Sequence, residues 1–95
     1  MTETTLTRNI IHCLRREGFY VTKIHGSRYQ QPGLPDVWAM RDGRLYCFEV
    51  KLSGNEPTKL QAHVIAELCK HGAVACVVYS VSEVEDVVAV DELLT

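Results

Sequence analysis

No lysine or arginine follows Lys70, and residues 71–95 carry five acidic side chains (Glu83, Glu85, Asp86, Asp91, Glu92). A surface of that sign repels polyanions, so a polyanionic partner would meet the first 70 residues, where ten Lys and Arg stand against seven Asp and Glu. The net charge of -2 excludes a strongly basic binding domain. Cys13, Cys47, Cys69 and Cys76 lack C-x-x-C spacing, which argues against a zinc ribbon or a dithiol redox motif. Each sits in an apolar run, as reduced core thiols do. No apolar run approaches the roughly 18 residues of a membrane span, and the polar start Met1-Thr-Glu-Thr-Thr lacks a secretory pattern. The expectation is a reducing, cytoplasmic setting. Repeats and low-complexity stretches are also missing. With 46% hydrophobic residues over 95 positions, the chain reads as one domain, residues 1–95, small enough to gain stability from self-association.

What the sequence does contain is concentrated between Gly33 and Lys51. Asp42-Gly43, set between two apolar runs, signals a hairpin, because a type I′ turn needs positive φ at both central residues. With those two as the loop, Arg41 faces Arg44 and, further down the ladder, Asp36 faces Glu49. Directly opposed side chains have Cβ atoms roughly 4.5–5.5 Å apart. Lys51 lies two residues beyond Glu49 and points to the same face. Facing like charges destabilise a sheet, unless a cation sits between them. Oxygen ligands alone select a hard ion, Mg²⁺ or Mn²⁺, over zinc. The alternative is a solvated polar strand end with Lys51 paired to a carboxylate.

Around this hairpin, Leu6, Ile10, Ile11 and Leu14 share one face and predict a helix over 4–17, capped by Thr2 or Thr4 and ended by Gly18. Glu3 falls in its first turn or just before it. Residues 19–25 alternate as a strand does. A polar loop, 26–33, precedes the hairpin strands 35–41 and 44–52. A second helix spans 58–71, where Thr58 and Gln61 have capping-box spacing. Val74 to Tyr79 is a continuous apolar run and reads as a buried central strand. Beyond it the sequence suggests an acidic turn over 83–86, a short edge strand over 87–90 and a last turn capped by Asp91. The order αβββαβ implies an α/β fold, a mixed central sheet flanked by helices.

Gly33-Leu34-Pro35-Asp36, the Phe48-Glu49-Val50-Lys51 strand, Gln61 ten residues later and the Gly72-Ala-Val-Ala-Cys-Val-Val segment together resemble the virus-type replication-repair nuclease (VRR-NUC) family. That family lies within the PD-(D/E)XK restriction-endonuclease-like superfamily. The resemblance covers about residues 3–90 and is to the stand-alone phage and bacterial type, which implies the cytoplasm of a bacterial host or phage-infected cell. It implies Mg²⁺- or Mn²⁺-dependent hydrolysis of DNA phosphodiesters, with a homodimer acting on branched DNA such as four-way (Holliday) junctions. By the same resemblance Asp36, Glu49 and the Val50 backbone carbonyl would hold metal. Lys51 would activate water, Gln61 would line the site, and Glu3 would be an outer ligand. The alternatives are a catalytically silent junction-binding module, or a flap or single-strand nuclease.

Other residues carry two readings. Gln61 is explained by the capping box alone or by the site. Arg28, Tyr29 and Gln30 offer phosphate contacts and a stacking ring just before the hairpin, or belong to a solvated loop. Arg15 and Lys23 are DNA contacts or an ordinary charged face. His63, Glu67 and His71, at i, i+4 and i+8, have a spacing that binds zinc when a further ligand is supplied; a wet helix face explains them as well.

Overall fold

The computed structural model describes residues 1–95. Its elements are α1 (Glu3–Arg16), β1 (Tyr20–Lys23), β2 (Val37–Arg41), β3 (Arg44–Val50), α2 (Lys59–Lys70), β4 (Val74–Val78) and α3 (Val81–Leu94). The four strands form one sheet in the order β1-β2-β3-β4. β1, β2 and β3 pair antiparallel, and β3 pairs parallel with β4. The sheet is therefore mixed and the αβββαβ core is present.

Local chemistry explains most boundaries. The Thr2 hydroxyl accepts from the Thr5 amide at the start of α1, Glu3 lies in the first turn, and Arg15 and Arg16 lie in the last. This charge order suits the helix dipole. Asp42 (φ 53) and Gly43 (φ 76) make the two-residue turn, and Arg41 pairs with Arg44 as the loop length requires. Val37, Ala39, Tyr46, Phe48 and Val50 face α1 and α3 in the main core, where Leu6, Ile10, Leu14 and Val84 meet them. On the opposite face Cys47 is buried, whereas Met40 is 46% exposed. Trp38 and Leu45 on that face are half-buried, so only Cys47 is fully enclosed there. Burial pushes the thiols of Cys47 and Cys76 up to about 12 and about 11, so both stay neutral. All four cysteines are free, and Cys69, although exposed, donates to the Ala75 carbonyl.

Two expectations fail. β4 is an edge strand, not a central one. Its apolar run reflects packing against α2 and α3 on its two faces rather than strands on its two sides. Residues 83–90 form neither an acidic turn nor an edge strand but the body of α3. The run Val87-Val88-Ala89-Val90 looks strand-like because β-branched residues are mildly unfavourable in helices. The overriding signal was Ser80-x-x-Glu83. The Ser80 hydroxyl accepts from the Glu83 amide, and the Glu83 carboxylate accepts from the Tyr79 amide. Asp91 does not cap a last turn. It ties α3 to the sheet, accepting from Arg44 Nε (2.9 Å) and Nη2 (2.6 Å) and from the Tyr46 hydroxyl (2.6 Å). These bonds hold its carboxyl down to about 2, the Arg44 contact most of all.

Gly33 (φ 85) sets how closely the loop before β2 approaches α2. A Cβ placed there would lie 2.8 Å from the Leu60 side chain and 3.2 Å from that of Val64. Gly33→Ala is expected to cost roughly 1–3 kcal/mol through backbone strain and overpacking, measured by urea denaturation.

Candidate active site at the open end of the hairpin

The site begins with a missing hydrogen. Opposed residues in the hairpin sum to 85, and the ladder runs from Arg41↔Arg44 to Val37↔Phe48. Pro35 would next exchange bonds with Val50, but proline has no N–H. The ladder therefore stops one rung before the expected pairing of Asp36 with Glu49. The groups left over find other partners. The Val50 amide donates to Asp36 Oδ2 at 2.9 Å. The Pro35 carbonyl accepts from the Trp38 indole at 3.0 Å, and the Asp36 carbonyl accepts from the Ile24 amide at 2.7 Å. Asp36 is thus fixed between β1 and β3. The Val50 carbonyl points to the same side of β3 as its own amide, towards a proline that cannot donate, while its side chain is buried in the core.

Glu49 sits beside this break and is only 2% exposed. Its Oε2 faces Lys51 Nζ at 3.7 Å and accepts from Gln61 Nε2 at 3.4 Å. Its Oε1 is buried with no partner. A buried carboxylate oxygen without a donor is costly, and the cost shows in its titration. Burial first, then the charge of Asp36 and the proton that Glu49 can share with it, raises the Glu49 carboxyl to about 7, against the pull of Lys51. Glu3 adds a smaller push in the same direction. It stands exposed in the first turn of α1, joined to Glu49 by charge alone, with no hydrogen bond or ion pair between them.

Gln61 resolves its two readings by using both ends of its amide. Its Oε1 accepts from the Thr58 amide, and the Thr58 hydroxyl accepts from the Gln61 amide, which completes the capping box. Its Nε2 is left for Glu49. Lys51 is held by its own amide, which donates to the Val78 carbonyl of β4, and the following loop is pinned by Tyr79, whose hydroxyl donates to the Asn55 carbonyl. Asp36, Glu49, Lys51 and Gln61 therefore converge, drawn from the loop before β2, the end of β3 and the first turn of α2. An acidic cluster with one unpartnered buried oxygen and one ammonium is suited to a hard cation and an anionic ester beside it.

The loop residues are not drawn in. Arg28 donates to the Tyr29 hydroxyl at 2.8 Å and lies over its ring, and Tyr29 is 84% exposed. The Gln30 amide donates to the Ser27 carbonyl. Arg15 and Lys23 lie beyond Asp36, on α1 and at the end of β1. His63 and His71, both exposed, flank the half-buried Glu67 at 4.0 Å, with no fourth group joining them. A second cluster, Cys13, Glu17 and Glu85 with ligand atoms within 4.8 Å of one another, was not visible in the sequence. It lies between α1 and α3 near Arg41, at the turn end of the hairpin and away from Glu49.

A family model described as archaeal Holliday junction resolvase (Hjc) matches residues 4–92. The chain belongs to that resolvase family. Solved structures agree with this on the fold. One titled "VRR_NUC domain" superposes with a TM-score of 0.78 at 24% identity, covering 92% of this chain and 94% of its own. Another, "VRR_NUC domain protein", gives 0.76 at 22% identity, covering 94% and 86%. No curated protein matches. The VRR-NUC resemblance read from the hairpin and the match to the Hjc family thus meet on one restriction-endonuclease-like nuclease fold. No helix in the Hjc-family chain is long and apolar enough to cross a membrane.

Proposed function

We propose that this chain is a metal-dependent endonuclease that hydrolyses DNA phosphodiesters at branched sites such as four-way junctions, with Mg²⁺ or Mn²⁺ as cofactor. The observation that carries the reading is Glu49 Oε1, buried and unpartnered beside Asp36. Asp36, Glu49 and the Val50 carbonyl would hold the ion, and Glu3 would add an outer carboxylate. When bound, the ion supplies a lowered water pKa and takes up charge from the phosphate. Lys51 orients the attacking water and counters the charge gathering on the phosphoryl oxygens. Water oxygen bonds to phosphorus, one ester P–O bond breaks, and the leaving oxygen takes up a proton. Gln61 holds the Glu49 carboxylate in its rotamer and is a positioning residue. Arg28, Tyr29 and Gln30 remain available as an exposed arm for phosphates and an unstacked base.

A homodimer fits this substrate, because a four-way junction offers two phosphates related by a two-fold axis. The exposed Val90, Leu93 and Leu94 at the end of α3 supply apolar surface for self-association.

Labelled four-way, flap, splayed and linear duplex DNA, each incubated with Mg²⁺, Mn²⁺ or EDTA, test the proposal. Paired symmetric cuts on the junction alone, lost in EDTA, are expected. Equal cutting of linear duplex would remove the junction claim, and binding without any cutting would leave a silent module. Two variants separate the roles of Gln61. Gln61→Ala is expected to cost about 0.5–1.5 kcal/mol of stability through the lost capping box and to slow cleavage. Thr58→Ala is expected to match the stability loss and retain the cleavage rate.

A further inference from the structure

Cys13, Glu17 and Glu85 stand apart from the centre described above. Cys13 lies in the last turn of α1 and Glu17 at its C-cap, four residues on, so the two share one side of the helix. Glu85 comes from the second turn of α3. All three line a cavity of about 140 Å³, whose wall also includes Phe19, Arg41, Val84 and Glu92. Arg41 ends β2, five residues beyond Asp36, which is about 17 Å at roughly 3.4 Å per residue. The cavity therefore opens at the far end of the hairpin from Glu49.

The contents of this cavity point to a cation. Cys13 is 3% exposed, and its thiol, unlike that of Cys69, donates to no acceptor. Its sulfur and one oxygen from each of the two carboxylates lie within 4.8 Å of one another. Neither carboxylate has an ion pair, because the acidic partners in the molecule are Glu49, Glu67, Asp91 and Glu92. Arg41 is the one cation in the wall, and it is already engaged. It pairs with Glu92, donates to the Glu17 main-chain carbonyl at 2.6 Å and lies over the Phe19 ring. Burial first, then the charge of Glu85, raises the Cys13 thiol, with Arg16 pulling the other way. It is thus a neutral thiol until a metal displaces its proton.

Donor type selects the ion. A thiolate favours zinc over Mg²⁺ and Mn²⁺, which take oxygen donors. Tetrahedral zinc, with Zn–S of about 2.3 Å and Zn–O of about 2.0–2.2 Å, holds its ligand atoms about 3.4–3.6 Å apart. The three donors here are at most about 1.4 Å wider than this. Small rotations of two exposed glutamate side chains close the gap. Water completes the fourth position, for which the cavity has room.

We propose that Cys13, Glu17 and Glu85 form a zinc site that joins the end of α1 to the start of α3. The S–H bond of Cys13 breaks as the S–Zn bond forms, the proton passes to solvent, and no electron is transferred. Zinc held there cross-links the two helices that cover the core face of the sheet, so its role is structural. The inference is independent of the nuclease reading, whose residues lie at the other end of β2.

Co²⁺ reports such a site directly, because a thiolate bound to it gives an intense near-ultraviolet charge-transfer band. Titrating the full, reduced chain with Co²⁺ is expected to bring that band to saturation at one equivalent, and Zn²⁺, the tighter binder, to bleach it. Cys13→Ser should abolish the band. Glu17→Gln/Glu85→Gln, at two exposed positions, should weaken binding by at least about 10-fold, and this variant decides the matter if Cys13→Ser does not fold. Cys69→Ser should keep the band, as should Asp36→Ala/Glu49→Gln at the candidate active site. Zn²⁺ should raise the Tm of the wild type and of Asp36→Ala/Glu49→Gln, and raise that of Glu17→Gln/Glu85→Gln much less. No band in the wild type, a band that survives Cys13→Ser, or an unchanged affinity in Glu17→Gln/Glu85→Gln overturns the site. Cleavage of branched DNA in Mg²⁺ is a separate measurement, so the nuclease reading stands or falls on its own.

Discussion

Glu49→Gln is expected to lower cleavage by roughly 10²–10³-fold or more, because it takes a charged ligand from the ion that activates water and stabilises the developing charge, and at the same time to stabilise the metal-free protein above pH 7. Asp36→Ala should show the same loss of cleavage. The double outcome follows from one buried oxygen. Glu49 is enclosed, its Oε1 has no donor, and Asp36 stands beside it, so the carboxylate the chemistry needs is one the fold would rather protonate. An amide keeps the shape, offers N–H donors to Asp36 and carries no charge. Labelled-junction cleavage with Mn²⁺, run beside thermal melts in EDTA at pH 8 and pH 5.5, measures both. Full activity in either variant would remove the site assignment, and a Glu49→Gln protein no more stable at pH 8 would remove the strain argument.

The second expected result concerns pH and metal together. A carboxyl raised to about 7 in the fold, from an ordinary value of 4.5, binds its proton more tightly folded than unfolded. The stability it contributes is complete below pH 4.5, where both states are protonated. It is lost progressively as pH rises through about 7, where the folded group must ionise. Metal-free protein should therefore melt at a lower temperature at pH 8 than at pH 5.5 on account of Glu49. A divalent ion reverses this, because it takes the place of the proton. Saturation to about 100 times the dissociation constant adds about 2.7 kcal/mol, so Mn²⁺ should raise the melting temperature at pH 8 and much less at pH 5.5. An equal rise at both values would mean that the ion binds elsewhere, the Cys13, Glu17 and Glu85 cluster being the first place to look. Repeating the melts with Glu49→Gln distinguishes the two sites.

The hairpin was legible because its signals are local. Asp42-Gly43 sets the turn, the turn sets the register, and the register brings Asp36, Glu49 and Lys51 to one end. What the register alone did not show was the broken last rung, which depends on Pro35 lacking a hydrogen and on Asp36 supplying an acceptor in its place. α3 was illegible for a different reason. Its valines suit a strand as well as a helix, and the decision comes from the Ser80–Glu83 cap and from tertiary contacts of Val84 and Asp91, the latter reaching back to Arg44 and Tyr46. The edge position of β4 was hidden because covering helices make an edge strand as apolar as a central one. Gln61 seemed to require a choice between capping and the site; the geometry has one amide meeting both the Thr58 amide and the Glu49 carboxylate.

Pro35 has a further consequence. A hydrogen-bond ladder closes itself wherever both strands carry amides, and a closed ladder has no carbonyl to offer to anything else. Here the opening is made by subtraction. An imino acid at the mouth of the hairpin frees one main-chain oxygen on β3, and the side chain that follows it satisfies the amide that would otherwise be stranded. A frayed rung next to a buried, unanswered carboxylate is a feature of the backbone, and it can be sought in folds whose sequences no longer spell the motif.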